Sequence, residues 1–72
     1  MPSKPLEVYD DTIAVGDTIR AFGNATGTVL EVNQREDASP MITYEAVYDV
    51  PALKAKAGQV LHCDIRYCRK VV

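Results

Sequence analysis

The most regular pattern of hydrophobic and polar positions in the chain covers residues 41–50. One face of a strand over this range carries only apolar or aromatic side chains, namely Ile42, Tyr44, Ala46, Tyr48 and Val50. The opposite face is mixed and consists of Met41, Thr43, Glu45, Val47 and Asp49. A period of two over this range indicates a β-strand, because a helix would scatter the acids among the apolar positions. We therefore predict a strand with one core face and one half-apolar face that is open to an interface.

Four further segments have shorter strand patterns, at residues 18–22, 28–32, 59–63 and 68–72. The first two are separated by residues 23–27, whose Gly and Asn residues tolerate the positive φ that a tight reversal needs, so a hairpin is predicted. Gly27 directly precedes the second strand and is expected to permit a bulge or a close approach between strands. In the fourth strand, His62 and Cys63 should point to opposite faces.

The segments between these strands have the composition of turns and loops. Residues 33–40 form a polar loop, and residues 64–67 form a tight turn or one 3₁₀ turn. Residues 51–58 begin with proline and end with glycine, which suits a single helical turn or a long loop. Five short strands with this spacing predict an all-β fold, a five-stranded barrel with a short helical or 3₁₀ turn, because closure removes exposed sheet edges. We expect the barrel domain over residues 12–72, after a flexible N-terminal arm over residues 1–11.

Composition and charge narrow the class of protein. A chain of 72 residues with 47% hydrophobic residues predicts one folded domain with a thin core, which favours self-association. The net charge of -2 argues against a general nucleic-acid binder. Residues 1–50 sum to -6 (nine acids, three bases) and residues 51–72 to +4 (five bases, one acid). This division predicts two differently solvated edges, which could complement each other between subunits, or alternatively a basic site for an anionic ligand.

The cellular compartment is inferred from membrane-spanning, secretory and disulfide features that the sequence lacks. No apolar run approaches the length that crosses a membrane. Residues 1–5 are not followed by the continuous apolar stretch that a secretory signal needs. Two cysteines are too few for the disulfide framework of a secreted small protein. We therefore expect a cytoplasmic protein that does not associate with membranes.

Three short motifs resemble the SH3-like barrels of small bacterial proteins. They are the Val-Gly-Asp-Thr-Ile-Arg opening at 15–20, the Gly-Thr-Val at 27–29 and the closing segment that begins Asp-Ile-Arg at 64. The resemblance covers about residues 14–72 and extends to the small proteins carried on integron gene cassettes and other mobile elements. It implies an SH3-like barrel more than it implies a function.

Within that group, the chain is similar in spacing to the plasmid-borne type II dihydrofolate reductases. That family has a Gly-Asp-Arg-Val-Arg opening where this chain has Gly-Asp-Thr-Ile-Arg at 16–20. Its strand Val-Gln-Ile-Tyr corresponds to Val-Leu-His-Cys at 60–63, so that Leu61 and Cys63 stand where the family has its pore-lining Gln and Tyr. The resemblance therefore implies assembly around a shared surface, on which His62 would lie, rather than the family's pterin and nicotinamide chemistry.

The candidate ligand or partner surface combines aromatic and basic side chains. Tyr44 and Tyr48 share the apolar face of the third strand, where they serve either as core or as a platform for stacking, and Phe22 could join such a platform. Arg66, Arg69 and Lys70 form the densest basic stretch and lie beside Tyr67. The full candidate set is Phe22, Tyr44, Tyr48, His62, Arg66, Tyr67, Arg69 and Lys70.

The cysteines and the histidine admit several interpretations. His62, Cys63 and Cys68 are potential zinc ligands, but a structural zinc site needs a fourth, and adjacent strand residues diverge. The same divergence disfavours a cysteine–histidine nucleophile. Packed free thiols are the favoured interpretation, with a Cys63–Cys68 disulfide as the alternative. We assign no catalytic residue, no metal site and no cofactor.

These observations favour a small binding or interaction module that acts as a homo-oligomer, either a dimer or a tetramer, with a protein or small-molecule ligand. Two other classes stay open. One is an enzyme assembled at a subunit interface in the manner of the type II reductase. The other is a small barrel that associates with nucleic acid or the ribosome.

Overall fold

A computed structural model describes residues 9–71 of the chain. Its secondary structure is β1 (Thr18–Ala21), β2 (Ala25–Asn33), β3 (Met41–Ala46), β4 (Val60–Asp64) and β5 (Arg69–Lys70), with 3₁₀ turns at Phe22–Asn24, Pro51–Leu53 and Ile65–Tyr67. The strands form one antiparallel sheet in the order β4-β3-β2-β1-β5. The predicted all-β class is confirmed, as are the five strands. The predicted arm lies mostly outside the described residues, although Tyr9 packs against the core.

The hairpin of β1 and β2 is tighter than the sequence predicts. Phe22 begins a 3₁₀ turn instead of ending the strand, and the reversal uses positive φ only at Gly23 (80°) and Asn24 (63°). Because two left-handed residues complete the reversal, β2 starts at Ala25 rather than at residue 28. Residues 26 and 27, expected in the link, therefore pair with Arg20 and Ile19 of β1.

Gly27 allows the close approach of strands that its position predicts. A Cβ atom at residue 27 would lie 2.3 Å from Cδ2 of Tyr44 and 2.8 Å from the carbonyl oxygen of Glu45. The Tyr44 ring therefore occupies the space above the glycine. The β-bulge lies further along β2, where the register with β3 shifts between Val29 and Glu31.

The third strand ends at Ala46 and is therefore shorter than the predicted strand over residues 41–50. The Asp49 carboxylate accepts a hydrogen bond from the amide of Ala57 at 2.9 Å, and Val50 forms an isolated bridge with Ala55. These contacts fold residues 47–58 into a loop in which Val50 and Ala55 remain in the core. Tyr48 is consequently 66% exposed and does not share the core face with Tyr44, which corrects the predicted face of residues 41–50.

A capped turn joins the two outer strands of the sheet. The side chain of Asp64, at the end of β4, accepts the amide hydrogen of Arg66 at 3.0 Å and starts the third 3₁₀ turn. A flat five-stranded sheet would separate its outer strands by about 19 Å, which is four spacings of about 4.8 Å. Only residues 65–68 lie between β4 and β5, and a 3₁₀ turn advances about 2.0 Å per residue. The sheet must therefore curve strongly.

The concave side of the sheet holds a small core. Its largest fully buried side chains are Tyr44, Ile19, Ile42, Ile65 and Val29. Both cysteines are free and buried beside them. Over residues 9–71, no helix has the length and apolar character needed to cross a membrane.

Candidate ligand pocket

One end of the core opens into a cavity of about 340 Å³. Its lining comes from the three 3₁₀ turns and from β3 and β4, and consists of Phe22, Tyr44, Leu53, His62, Cys63, Asp64 and Tyr67. We refer to this cavity as the aromatic pocket. The structure thus brings together four of the predicted site residues, namely Phe22, Tyr44, His62 and Tyr67.

Two aromatic rings form the rim of the aromatic pocket. Phe22 and Tyr67 meet edge to face, with ring centroids 5.8 Å apart and an angle of 70° between the ring planes. Phe22 is nevertheless 62% exposed and Tyr67 57% exposed. Beside them lies Leu53, whose Cγ would be 3.1 Å from a Cβ atom at Gly23. The 3₁₀ turns therefore hold apolar side chains at the surface, where solvent covers much of their area.

The floor of the aromatic pocket is formed by Tyr44 and Cys63, which belong to the core. Burial raises the pKa of the Tyr44 phenol to about 12, and negative charge on the cysteine sulfurs adds to that rise. Tyr44 therefore stays neutral at any physiological pH. The floor is an uncharged surface except where a thiol can ionise.

The two thiols of the pocket region influence each other's ionisation. The neighbouring Cys68 thiol, together with the backbone of Phe22, lowers the pKa of Cys63 against the opposing effect of burial. Cys63 in turn raises the pKa of Cys68, whose thiol lies 3.5 Å from the Asp64 carbonyl oxygen.

Strand β4 presents a row of backbone groups beside the aromatic pocket. Hydrogen bonds from the Ala46 amide to the Gln59 carbonyl (2.9 Å) and from the Ile65 amide to the Pro40 carbonyl (3.0 Å) fix the phase of the β3–β4 ladder. Because pairing alternates along an antiparallel ladder, residues 61 and 63 bond to β3, whereas Val60 and His62 direct their amide and carbonyl groups away from it. In the described part of the chain, the ladder ends at β4. This edge is free to pair with another extended chain.

A polar cluster covers part of the opposite, half-apolar face of β3. The Thr43 hydroxyl accepts a hydrogen bond from Nδ2 of Asn33 at 3.2 Å and is bonded to Nδ1 of His62 at 3.0 Å. These contacts bury Thr43, although it lies on the convex side of the sheet. They also orient the His62 ring away from the core, as its predicted divergence from Cys63 requires.

Asp64 holds two arginines at the mouth of the aromatic pocket. Nη2 of Arg35 lies 2.9 Å from Oδ2 of Asp64, and Nε of Arg66 lies 3.1 Å from Oδ1. Burial opposes ionisation of this carboxyl, but the hydrogen bonds and charge of Arg66, with help from Arg35, outweigh it and hold the pKa below its ordinary value. Asp64 is thus a structural anion that fixes the third turn.

The remaining predicted site residues do not line the aromatic pocket. Arg66 is bound to Asp64, and Nζ of Lys70 lies 3.6 Å from Oδ2 of Asp17. Arg69 is exposed and pairs across the sheet with Arg20. The basic stretch is therefore divided among separate contacts. Tyr48 lies in the loop after β3 and does not line the pocket.

Three lining residues are absent from the predicted set: Leu53, Cys63 and Asp64. Leu53 is the only large apolar residue between Pro51 and Gly58, which was a signal that it packs on something. For Cys63, the signal was the alternation of the fourth strand, which places Cys63 on the core face and His62 on the opposite face. The role of Asp64 depends on Arg35, which is distant in sequence, so no local pattern indicates it.

Comparison with protein-family models, curated proteins and solved structures found no match to this chain. Within residues 9–71, no group of three or more His, Cys, Asp or Glu side chains is placed to hold a metal ion. The geometry of the site is therefore the basis on which its function is inferred.

Proposed function

We propose that this protein is a non-enzymatic binding module whose aromatic pocket takes a large apolar or aromatic side chain from an extended peptide segment of a partner protein. The observation that carries this proposal is the position of the exposed Phe22–Tyr67 pair beside the edge of β4 that pairs with no other strand among residues 9–71. A peptide that pairs with β4 would direct alternate side chains toward the pocket.

The size and lining of the aromatic pocket support a single side chain as its occupant. Ligand sites usually range from about 300 to 1,000 Å³, so a cavity of about 340 Å³ lies at the small end of that range. Its rim and floor are mainly aromatic and aliphatic, and aromatic residues supply much of the energy of protein interfaces. Seating an apolar side chain between Phe22, Leu53 and Tyr67 would remove their exposed surface from water.

The edge of β4 supports an extended main chain as the rest of the ligand. Unpaired amide and carbonyl groups along a strand form a template for another strand, and peptide recognition by strand addition uses such an edge. Val60 and His62 offer these groups next to the aromatic pocket. A small molecule that fills the pocket would leave them unpaired.

Two other functions have weaker support. A nucleic-acid interface requires cations free to meet phosphates, yet Arg66 and Lys70 each lie against a carboxylate. An enzyme of the type II reductase kind requires polar groups in a shared pore, and the corresponding positions are Leu61 and Cys63. Gel shifts at low salt and a dihydrofolate reduction assay test these alternatives directly.

Assembly as a homo-oligomer remains part of the proposal. Val47 and Val60 flank Glu45 on the convex face and are 44% and 49% exposed. A second copy that covers them would bury apolar surface that the small core leaves in water. Size-exclusion chromatography with light scattering should give a dimer or tetramer at micromolar concentration, and Val47→Lys should reduce the mass. A wild-type monomer would remove self-association from the proposal.

The experiment for the binding function is selection from a library of random linear peptides displayed on phage. We expect enrichment of peptides with an aromatic or large aliphatic residue, and loss of their binding to Tyr67→Ala. Lys56→Ala, at an exposed position that does not line the pocket, is the matched control and should bind as the wild type does. No enrichment, or equal binding to Tyr67→Ala and the wild type, would contradict the proposal.

A further inference from the structure

We propose that Cys63 and Cys68 form a reversible redox pair, in which Cys63 reacts with a low-molecular-weight disulfide that enters through the aromatic pocket and Cys68 then resolves the adduct. This inference concerns the covalent chemistry of the thiols. It does not depend on peptide binding.

The position of the two sulfurs supports a nucleophile and a resolving thiol. Both cysteines are unpaired and buried, but Cys63 lines the pocket while Cys68 lies behind it in the core. A reagent that enters the cavity therefore meets Cys63 first. Only the third 3₁₀ turn, Ile65–Tyr67, and Asp64 separate Cys63 from Cys68 in the chain, and each thiol affects the ionisation of the other.

The surroundings of Cys63 stabilise its thiolate, which is the nucleophilic form. The neighbouring Cys68 thiol and Phe22 backbone favour the ionised Cys63, whereas burial and the Asp64 charge oppose it, and the net effect lowers the pKa of Cys63. The Cys68 thiol donates its hydrogen to the Asp64 carbonyl oxygen at 3.5 Å, which favours the protonated form of Cys68.

The chemistry is two successive thiol–disulfide exchanges. The Cys63 thiolate attacks one sulfur of the disulfide RSSR, forming a Cys63–S–S–R bond while the S–S bond of RSSR breaks and RS⁻ departs. Cys68 gives up its proton to the departing thiolate or to water and attacks the Cys63 sulfur. The Cys63–Cys68 bond forms, the bond from Cys63 to SR breaks, and a second RS⁻ leaves. The two cysteines lose two electrons, and RSSR gains them.

The test uses glutathione disulfide as the probe and the folded full chain as the substrate. After an acid quench and alkylation of remaining thiols, intact mass spectrometry should show a wild-type product that has lost two hydrogens and takes up no alkyl group. Cys68→Ser should stop at a single glutathione adduct on Cys63. Cys63→Ser should react at least about tenfold more slowly, since its remaining thiol is buried and protonated.

Peptide mapping of the wild type at short times keeps the proposal testable if a variant does not fold. The first glutathione adduct should map to Cys63, and dithiothreitol should restore both thiols. The proposal is overturned if the wild type keeps both thiols while a denatured sample is oxidised. It is also overturned if the first adduct maps to Cys68, or if the wild type accumulates two adducts without an internal disulfide.

Discussion

Phe22 follows β1 and Tyr67 precedes β5, the strand that pairs with β1, and their rings meet edge to face with centroids 5.8 Å apart. The first and third 3₁₀ turns hold them there, and both rings remain more than half exposed. A protein with a small core gains little by placing two aromatic rings in water. Their arrangement is explained if a ligand covers them.

The first prediction separates binding from stability at this pair. Tyr67→Ala should weaken a selected peptide at least about tenfold, because truncation of an aromatic anchor commonly costs 2 kcal/mol or more, which is about 30-fold. The free energy of unfolding should fall by only about 1 kcal/mol, since the ring is exposed and loses mainly one aromatic contact. Calorimetric titration and urea unfolding measure the two effects.

Tyr67→Phe is the matched control for that variant. It keeps the ring and the edge-to-face contact, so it should bind within about threefold of the wild type unless the hydroxyl itself contacts the peptide. A loss of stability in Tyr67→Ala that accounts for the whole loss of binding would show a structural role instead.

The second prediction concerns the glycine under the Tyr44 ring. Gly27→Ala should lower the free energy of unfolding by about 2–3 kcal/mol, because its Cβ would overlap Tyr44 and a backbone oxygen that cannot move independently. Gly58→Ala is the control. Its added Cβ atom meets no atom within 4 Å, so the only cost is that of placing a side chain on a residue with positive φ. It should lose about 1 kcal/mol. Equal losses in urea unfolding would show that the close approach does not matter.

The third prediction is a pH dependence of stability due to Asp64. Its carboxyl has a lower pKa in the folded protein than the ordinary value of 3.8, so ionised Asp64 stabilises the fold fully above pH 3.8. That contribution is lost as the pH falls through the lower, folded-state pKa. Asp64→Asn should remove this part of the acid dependence while keeping a side chain that can cap the turn.

Urea unfolding between pH 2 and pH 6 measures the effect for the wild type and Asp64→Asn. The two curves of unfolding free energy should converge as the pH falls. Asp64→Ala should lose about 1 kcal/mol more than Asp64→Asn, because the turn also loses its cap. Parallel curves for the wild type and Asp64→Asn would contradict the role given to the ion pairs with Arg35 and Arg66.

The fourth prediction is a pH dependence of thiol reactivity. Ionisable groups around Cys63 come from each neighbouring element: Tyr44 from β3, Asp64 from the end of β4, and Cys68 after the third turn. The lowered pKa of Cys63 predicts that its alkylation by iodoacetamide rises with pH and reaches half its maximum below about pH 8, whereas an ordinary cysteine does so near pH 8.5. Cys68→Ala removes a donor and should shift the midpoint upward.

Cys68→Ser is the matched control, because its hydroxyl can still donate a hydrogen bond to the thiolate. Its midpoint should lie between those of the wild type and Cys68→Ala. Alkylation of the wild type that reaches half its maximum only above pH 8 would contradict the arrangement of donors around Cys63.

Sequence patterns predicted the elements of this fold well, because each strand has its own local signal. Alternation identified Ile42, Tyr44 and Ala46 as core positions. The glycine at position 27 indicated a close approach to the neighbouring strand, and the Tyr44 ring does lie against that glycine. The errors occur where a contact with a residue distant in sequence determines the path of the chain. Tyr48 continues the alternation, but the bond from Ala57 to Asp49 belongs to a loop that leaves Tyr48 exposed.

The candidate site could be predicted only in part for the same reason. Phe22 and Tyr67 belong to turns that the pairing of β1 with β5 brings together, and because these strands are distant in sequence, the contact has no local sequence signature. The basic stretch had a clear signature, yet Asp17 and Asp64 divide Lys70 and Arg66 between separate ion pairs. Local composition therefore indicates which residues are available, and the tertiary fold decides which of them meet.

The most direct test of the central claim is an NMR titration of the ¹⁵N-labelled protein with a phage-selected peptide. The account predicts shifts confined to the amides of Phe22, Leu53, Tyr67 and the β4 edge, together with slower hydrogen exchange at His62, whose amide would gain a partner. Tyr67→Ala should abolish these shifts at the same peptide concentration. Shifts centred elsewhere, or binding that leaves His62 exchange unchanged, would contradict the account of the aromatic pocket as a peptide site.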